Sequence, residues 1–124
     1  MNVVDSSGWL EYFGNGENAD FFAAIIEDTE NLLVPIICLY EVFKRILQQR
    51  DINAARTNVS DMYEGYLIDL TAPLALSAAQ ISIDYKLPMA DSLILATARA
   101  HDAVLWTQDE HFRDIPGVKF IAKK

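Results

Sequence analysis

The sequence predicts an α/β fold with a central, mostly parallel sheet of four to five strands flanked by helices. Three observations carry this. Short apolar runs alternate along the chain with longer stretches of helical spacing, the order that builds a parallel sheet covered on both faces. Hydrophobic residues make up 52% of the 124 residues, enough for a folded chain with a substantial core. No repeat, low-complexity segment or linker divides the chain, so residues 1–124 read as a single domain.

Each element has its own local signal. "MNVVD" is a short strand that ends at a carboxylate. "SSGWLEYF" can start a helix with Ser6 or Ser7 as N-cap, and Gly14 and Gly16 break it. "ADFFAAIIED" is a second helix of about three turns at the usual helical pitch. "NLLVP" is a strand closed by Pro35, which also fits the first turn of the strongly helical "IICLYEVFKRILQQR". Asp51 is positioned to cap the helix "DINAARTNVSDMYEG", and "YLIDL" is the next strand. Pro73 opens the helix "APLALSAAQISIDYK", and Pro88 ends the connection to the helix "MADSLILATARAHD". "AVLWT" is a strand, and "VKFI" is a last short one.

In parallel sheets of this type, ligands bind beyond the carboxyl ends of the strands, where the strand order switches. Four carboxylates occupy telling places in that light. Asp5 follows the first strand directly, and Asp109 follows "VLWT". Alone, either would serve as a turn or cap residue. Glu41 lies in "ICLYEVFKR", one and a half turns into a mostly apolar helix, where pairing with Lys44 or Arg45 is the simple reading. Asp91 shares helical spacing with Ile94, Leu95 and Ala98, which points a carboxylate toward an apolar face. Such a group needs a partner, a proton or a metal, unless it lies at the helix start, where the dipole favours an acid. Four carboxylates gathered in one pocket cannot all stay ionised without cations. An oxygen-only donor set selects Mg²⁺ or Mn²⁺ over zinc. One or two such ions can activate water and clamp a phosphodiester.

The formal net charge is −8, which by itself argues against non-specific nucleic-acid binding. The distribution is uneven. Residues 1–40 hold seven acids and no Lys or Arg, whereas Lys44, Arg45, Arg50 and Arg56 cluster further on. An acidic surface with small basic islands suits a chain kept with a basic partner. No apolar run approaches the roughly 20 residues needed to span a bilayer. "MNVVDSSGWLEYF" lacks the basic and apolar regions of a signal peptide. The single Cys38 reads as a small buried hydrophobe on a helix and fits a reducing cytoplasm.

At "VVDSS", the Glu within "YEVFKR", "ADSLILATA" and "WTQDEHF", the chain resembles PIN-domain ribonucleases, and in particular the VapC toxins of bacterial and archaeal toxin–antitoxin pairs. The resemblance covers nearly the whole chain, and the order and spacing of the four motifs make it specific. It implies a compact three-layer α/β fold, a homodimer, Mg²⁺- or Mn²⁺-dependent cleavage of RNA, and a VapB-like antitoxin whose C-terminal segment crosses the site. It assigns Asp5, Glu41, Asp91 and Asp109 to the acidic metal site. Asp5, Asp91 and Asp109 would hold the ion, and Glu41 would bind a second ion or position the water. Thr107 would orient Asp5 or a water, and Ser6 would support Asp5. Many relatives carry an acid before the Phe of the fourth motif, where this chain has His111; that histidine reads as a surface residue, and His101 as a helix cap.

Lys44, Arg45, Arg50 and Arg56 flank the Glu41 helix, where they would meet RNA phosphates or simply be solvated. Phe21, Phe22, Tyr40 and Phe43 would pack the core or line an antitoxin groove or dimer face. Three rival readings fit less well. A non-catalytic RNA- or protein-binding PIN domain does not need all four acids. A receiver domain would use Asp69 as phosphoacceptor, but it also needs paired acids after the first strand and a Lys after the last main strand. A phosphatase needs an Asp-x-Asp after the first strand, which is missing.

Overall fold

The computed structural model describes Met1–Lys124. Five strands form one sheet: β1 (Asn2–Val4), β2 (Leu32–Pro35), β3 (Tyr66–Ile68), β4 (Val104–Thr107) and β5 (Val118–Phe120). Six helices flank it: α1 (Ser6–Phe13), α2 (Ala19–Ile26), α3 (Ile36–Gln49), α4 (Ile52–Met62), α5 (Ala72–Tyr85) and α6 (Met89–Ala100). Every expected strand and helix is present, and all four strand pairings are parallel.

The sheet order is β3-β2-β1-β4-β5. From β1 the chain steps outward twice in one direction, then crosses back to place β4 on the other side of β1. Right-handed crossovers put α1–α4 on one face and α5–α6 on the other, which gives three layers. The register sets Val3 opposite Leu33 on one side and Leu105 on the other. Strands covered on both faces must be apolar throughout. Accordingly Val3, Val4, Val34 and Leu105 are fully buried, with Trp9, Phe22, Cys38, Val42, Ile94 and Leu95 packed over them. No helix is long and apolar enough to cross a membrane.

Local chemistry sets the ends of the elements. Asp51 caps α4 by accepting from the Ala54 N–H at 2.8 Å, as expected. Thr71 caps α5, Pro73 sits in its first turn, and Lys86 ends it in the left-handed region at φ 56°. α1 departs from expectation: its N-cap is Asp5, not Ser6 or Ser7. The Asp5 carboxylate accepts from the Gly8 N–H, so both serines fall inside the first turn with their hydroxyls free for other work. Pro35 also falls one position earlier than expected. It pairs with Ile68 as the last residue of β2 and, with ψ 137°, stands before α3 rather than within its first turn. Two short 3-10 turns, Thr29–Asn31 and Glu110–Phe112, add to the expected elements.

Gly8 has a positional reason. A Cβ built there would lie 2.5 Å from Val4 Cγ1 and 2.7 Å from Phe22 Cε1. Only glycine lets α1 start so close to β1 and α2, directly behind Asp5.

Candidate functional site

The direction of strand stepping reverses between β1 and β4, which opens a crevice at their carboxyl ends. Asp5 follows β1, Thr107 ends β4, and Asp109 comes two residues later.

Asp5 is buried, at 2% exposure. Its Oδ1 accepts from Ser7 Oγ at 2.7 Å and from the Gly8 N–H at 2.9 Å, and its Oδ2 accepts from Thr107 Oγ1 at 2.6 Å. Burial pushes its pKa up to about 6; the bonds from Thr107, Ser7 and Gly8 pull the other way, and the charge of Asp109 adds to the rise. Thr107 is fully buried and works in both directions. While its hydroxyl donates to Asp5, its oxygen accepts from the Asp109 N–H at 2.9 Å. One hydroxyl thus ties the ends of the two central strands together.

Asp109 caps the 3-10 turn that follows β4, its Oδ1 accepting from the His111 N–H at 2.9 Å. The same turn aims the His111 ring back at the acids. Its Nδ1 lies 2.9 Å from Asp91 Oδ2 and 3.3 Å from Asp109 Oδ1. Asp91 stands in the first turn of α6, with its side chain 14% exposed. Burial raises its pKa, and the Asp109 charge raises it further, against the hydrogen bond and charge of His111. His111 is shifted up in turn by its bond to Asp91 and by the charge of Asp109.

Glu41 joins from α3. Its Oε1 accepts from Ser6 Oγ at 2.7 Å. Ser6 therefore supports Glu41 and not Asp5, which corrects its expected role; the hydroxyl on Asp5 is that of Ser7. As the first helical residue after the capping Asp5, Ser6 directs its hydroxyl to the neighbouring helix. Glu41 also departs from the simple pairing with Lys44 or Arg45, since its carboxylate is bonded to Ser6.

Asp5, Asp109 and Asp91 are thus linked through the Thr107 hydroxyl and the His111 imidazole, while Glu41 is bonded only to Ser6. The tightest group is not the expected Asp5, Asp91 and Asp109. Ligand atoms of Asp91, Asp109 and His111 lie within 4.8 Å of one another, and Asp5 and Glu41 stand outside this trio. Asp5 is buried and held by three donors, and the exposed His111 completes the trio. The histidine is exposed, as expected of a surface residue, but it is also part of the cluster. Its signal was its position two residues after Asp109. Glu110 turns away to Arg113 at 3.4 Å.

The donor set fits a divalent cation. Asp91 and Asp109 pair with His111 and with no Lys or Arg. Asp5 and Asp91, both with pKa values raised by burial, converge on the crevice with Asp109, an environment that a hard cation relieves.

None of the four basic residues expected at RNA phosphates is ion-paired with the acids. Lys44 sits over the Tyr40 ring at 5.5 Å, Arg45 and Arg56 are exposed, and Arg50 borders a polar hollow with Asn53 and Asn58. The largest groove, about 570 Å³, contains none of the four acids; Leu39, Tyr40, Phe43 and Leu47 of α3 line it with Val59 and Tyr63. Of the four aromatics singled out in the sequence, Phe22 is core and Phe21 packs on Trp106 at 5.4 Å, whereas Tyr40 and Phe43 face this groove. Asp69 is exposed after the edge strand β3, far in strand order from Asp5, which removes its receiver-like role. His101 caps α6, its Nδ1 3.0 Å from the Thr97 carbonyl, and Cys38 is fully buried, as expected.

A further buried contact braces the crevice. Asn18, 2% exposed, donates from Nδ2 to Gln108 Oε1 and to the Ala122 carbonyl, both at 3.0 Å. It fixes the residue between Thr107 and Asp109 to the start of α2. Nothing local in the sequence marks it, because its partners are about a hundred positions away.

Comparison with known proteins agrees with this geometry. Residues 3–118 match the family model described as PIN domain. Comparison with curated proteins yields no match. Among solved structures, a toxin–antitoxin complex from Klebsiella pneumoniae is similar at 23% identity and TM-score 0.78, with 96% of each chain covered. VapBC2 from Rickettsia felis, bound to a promoter DNA fragment, is similar at 13% identity and TM-score 0.76, with 99% of this chain and 98% of that one covered. VapC20 from Mycobacterium tuberculosis, a toxin that cleaves the sarcin-ricin loop, is similar at 12% identity and TM-score 0.74, with 91% and 92% covered.

Proposed function

The chain belongs to the PIN domain family, and from that membership and the linked carboxylates we propose that it is a metal-dependent endoribonuclease toxin of a toxin–antitoxin pair. The observation that carries the reading is the convergence of Asp91 and Asp109 beside Thr107-bound Asp5, at the crevice between β1 and β4. Asp91 and Asp109 would hold Mg²⁺ or Mn²⁺, with Asp5 behind them and Glu41 at the side. A bound divalent ion supplies a water nucleophile at neutral pH and Lewis-acid stabilisation of the phosphodiester.

The chain's own residues do the rest. Thr107 fixes the Asp5 carboxylate, so its charge faces the crevice in one orientation. Ser6 holds Glu41 where it can orient a water or accept its proton. The carboxylates alone repel a phosphodiester, so substrate approach depends on the cation reversing the local charge. Arg45, Arg50 and Arg56 would then guide flanking phosphates.

The groove between α3 and α4 fits the apolar face of a helix from a VapB-like antitoxin, with Lys44 at its rim. A homodimer in the cytoplasm completes the reading. Expression without the antitoxin tests it. Growth arrest by wild type that disappears in folded Asp5→Asn and Asp91→Asn supports the reading. Equal arrest by wild type and both variants overturns it.

A further inference from the structure

We propose that His111 is itself a ligand of the ion, so that this centre is a mixed oxygen–nitrogen site that prefers transition ions such as Mn²⁺ to Mg²⁺. The inference rests on the metal-nuclease reading above and deepens it.

The ring is placed for this. Its Nδ1, Asp91 Oδ2 and Asp109 Oδ1 form the compact trio of the crevice, with Nδ1 at 2.9 Å and 3.3 Å from the two oxygens. The backbone fixes its root, since the His111 N–H donates to Asp109 Oδ1 and the 3-10 turn holds the two residues in register. The ring is 55% exposed, yet it turns inward when solvent is open to it. Asp5 stands outside this trio, its two oxygens accepting three hydrogen bonds. With the ring hydrogen on Nε2, the Nδ1 lone pair faces the space between the carboxylates. The three donors then come from two elements, α6 and the turn after β4.

Ligand chemistry sets the preference. Mg²⁺ requires near-ideal octahedral oxygen ligation and dehydrates reluctantly. Imidazole favours first-row transition ions, whose affinity for nitrogen donors rises along the Irving–Williams series. An acid at position 111 would present a third hard oxygen and remove the bias. His111→Gln should therefore weaken Mn²⁺ binding by at least about tenfold, the scale at which losing even an outer partner weakens a metal site, and His111→Asp should lower the Mn²⁺-over-Mg²⁺ preference.

The direct test is pulsed electron paramagnetic resonance of the full chain loaded with Mn²⁺, alongside calorimetric titration with Mn²⁺ and with Mg²⁺. Imidazole nitrogen couplings in wild type and His101→Gln, lost in His111→Asp and His111→Gln while Mn²⁺ stays bound, are the expected result. Bound Mn²⁺ that is displaced by Asp91→Asn but shows no nitrogen coupling would make His111 a counter-ion only, overturning the proposal and leaving the metal-site reading intact. Nitrogen couplings that persist in His111→Asp would overturn it as well. Mn²⁺ binding insensitive to Asp91→Asn would overturn both readings together.

Discussion

At the scale of single residues, Thr107 and Asp5 decide whether the crevice is built. The Thr107 hydroxyl serves a buried carboxylate and a backbone N–H at once. Thr107→Val keeps the shape and strands both partners, so it should cost about 2 kcal/mol in urea unfolding, with Thr107→Ser recovering most of the polar part. A loss in Thr107→Ser without one in Thr107→Val would show that the methyl, not the hydroxyl, matters. Asp5 makes stability depend on pH. Its folded-state pKa is raised from 3.8 to about 6, so the folded chain holds this proton more tightly than the unfolded chain does. The contribution is therefore complete below about pH 4 and lost as pH rises through about 6, an effect of about 3 kcal/mol. In metal-free buffer, Asp5→Asn should gain melting temperature relative to wild type between pH 4 and pH 7. A pH-independent gap would mean that burial does not perturb Asp5. Asp5, Asp91 and Asp109 were legible because each follows a strand or opens a helix, whereas Thr107 and Glu41 were legible only through the motif resemblance. Ser7 and His111 were not, because their roles depend on side-chain direction within a turn, which spacing does not encode.

At the scale of elements, α6 shows how a core helix delivers a ligand. Ile94, Leu95 and Ala98 are buried, whereas Asp91, one turn earlier, reaches the crevice rim. The apolar spacing that seemed to bury a charge instead carries it to the ends of the strands. α1 achieves a similar placement by close approach. Gly8→Ala must push aside Val4 or Phe22, so destabilisation of about 1–3 kcal/mol is expected by thermal or chemical unfolding. A neutral result would mean that α1 shifts freely, and Asp5 with it. Helices and strands could be read from the sequence because proline, glycine and apolar runs are local signals. The 3-10 turn after β4 could not, since three residues carry no periodicity.

At the scale of the whole molecule, the crevice exists only because β4 returns to the far side of β1. That order is set by pairings about a hundred residues apart, which local pattern does not encode. The same non-local assembly gathers carboxylates in a chain whose net charge is already −8. A cation that binds only the folded state should raise stability by about 2.7 kcal/mol at a hundredfold excess over Kd. Mn²⁺ should therefore raise the melting temperature of wild type well above its effect on Asp91→Asn; equal shifts would argue against a shared site.

The most direct measurement of the central claim is cleavage of a structured RNA by the purified chain with Mn²⁺. Metal-dependent catalysis at this crevice predicts cutting that a chelator abolishes and that folded Asp91→Asn and Asp109→Asn slow by more than about 100-fold, the scale at which losing one electrostatic group slows a reaction. Cutting that survives chelation, or that proceeds equally in both variants, would contradict it.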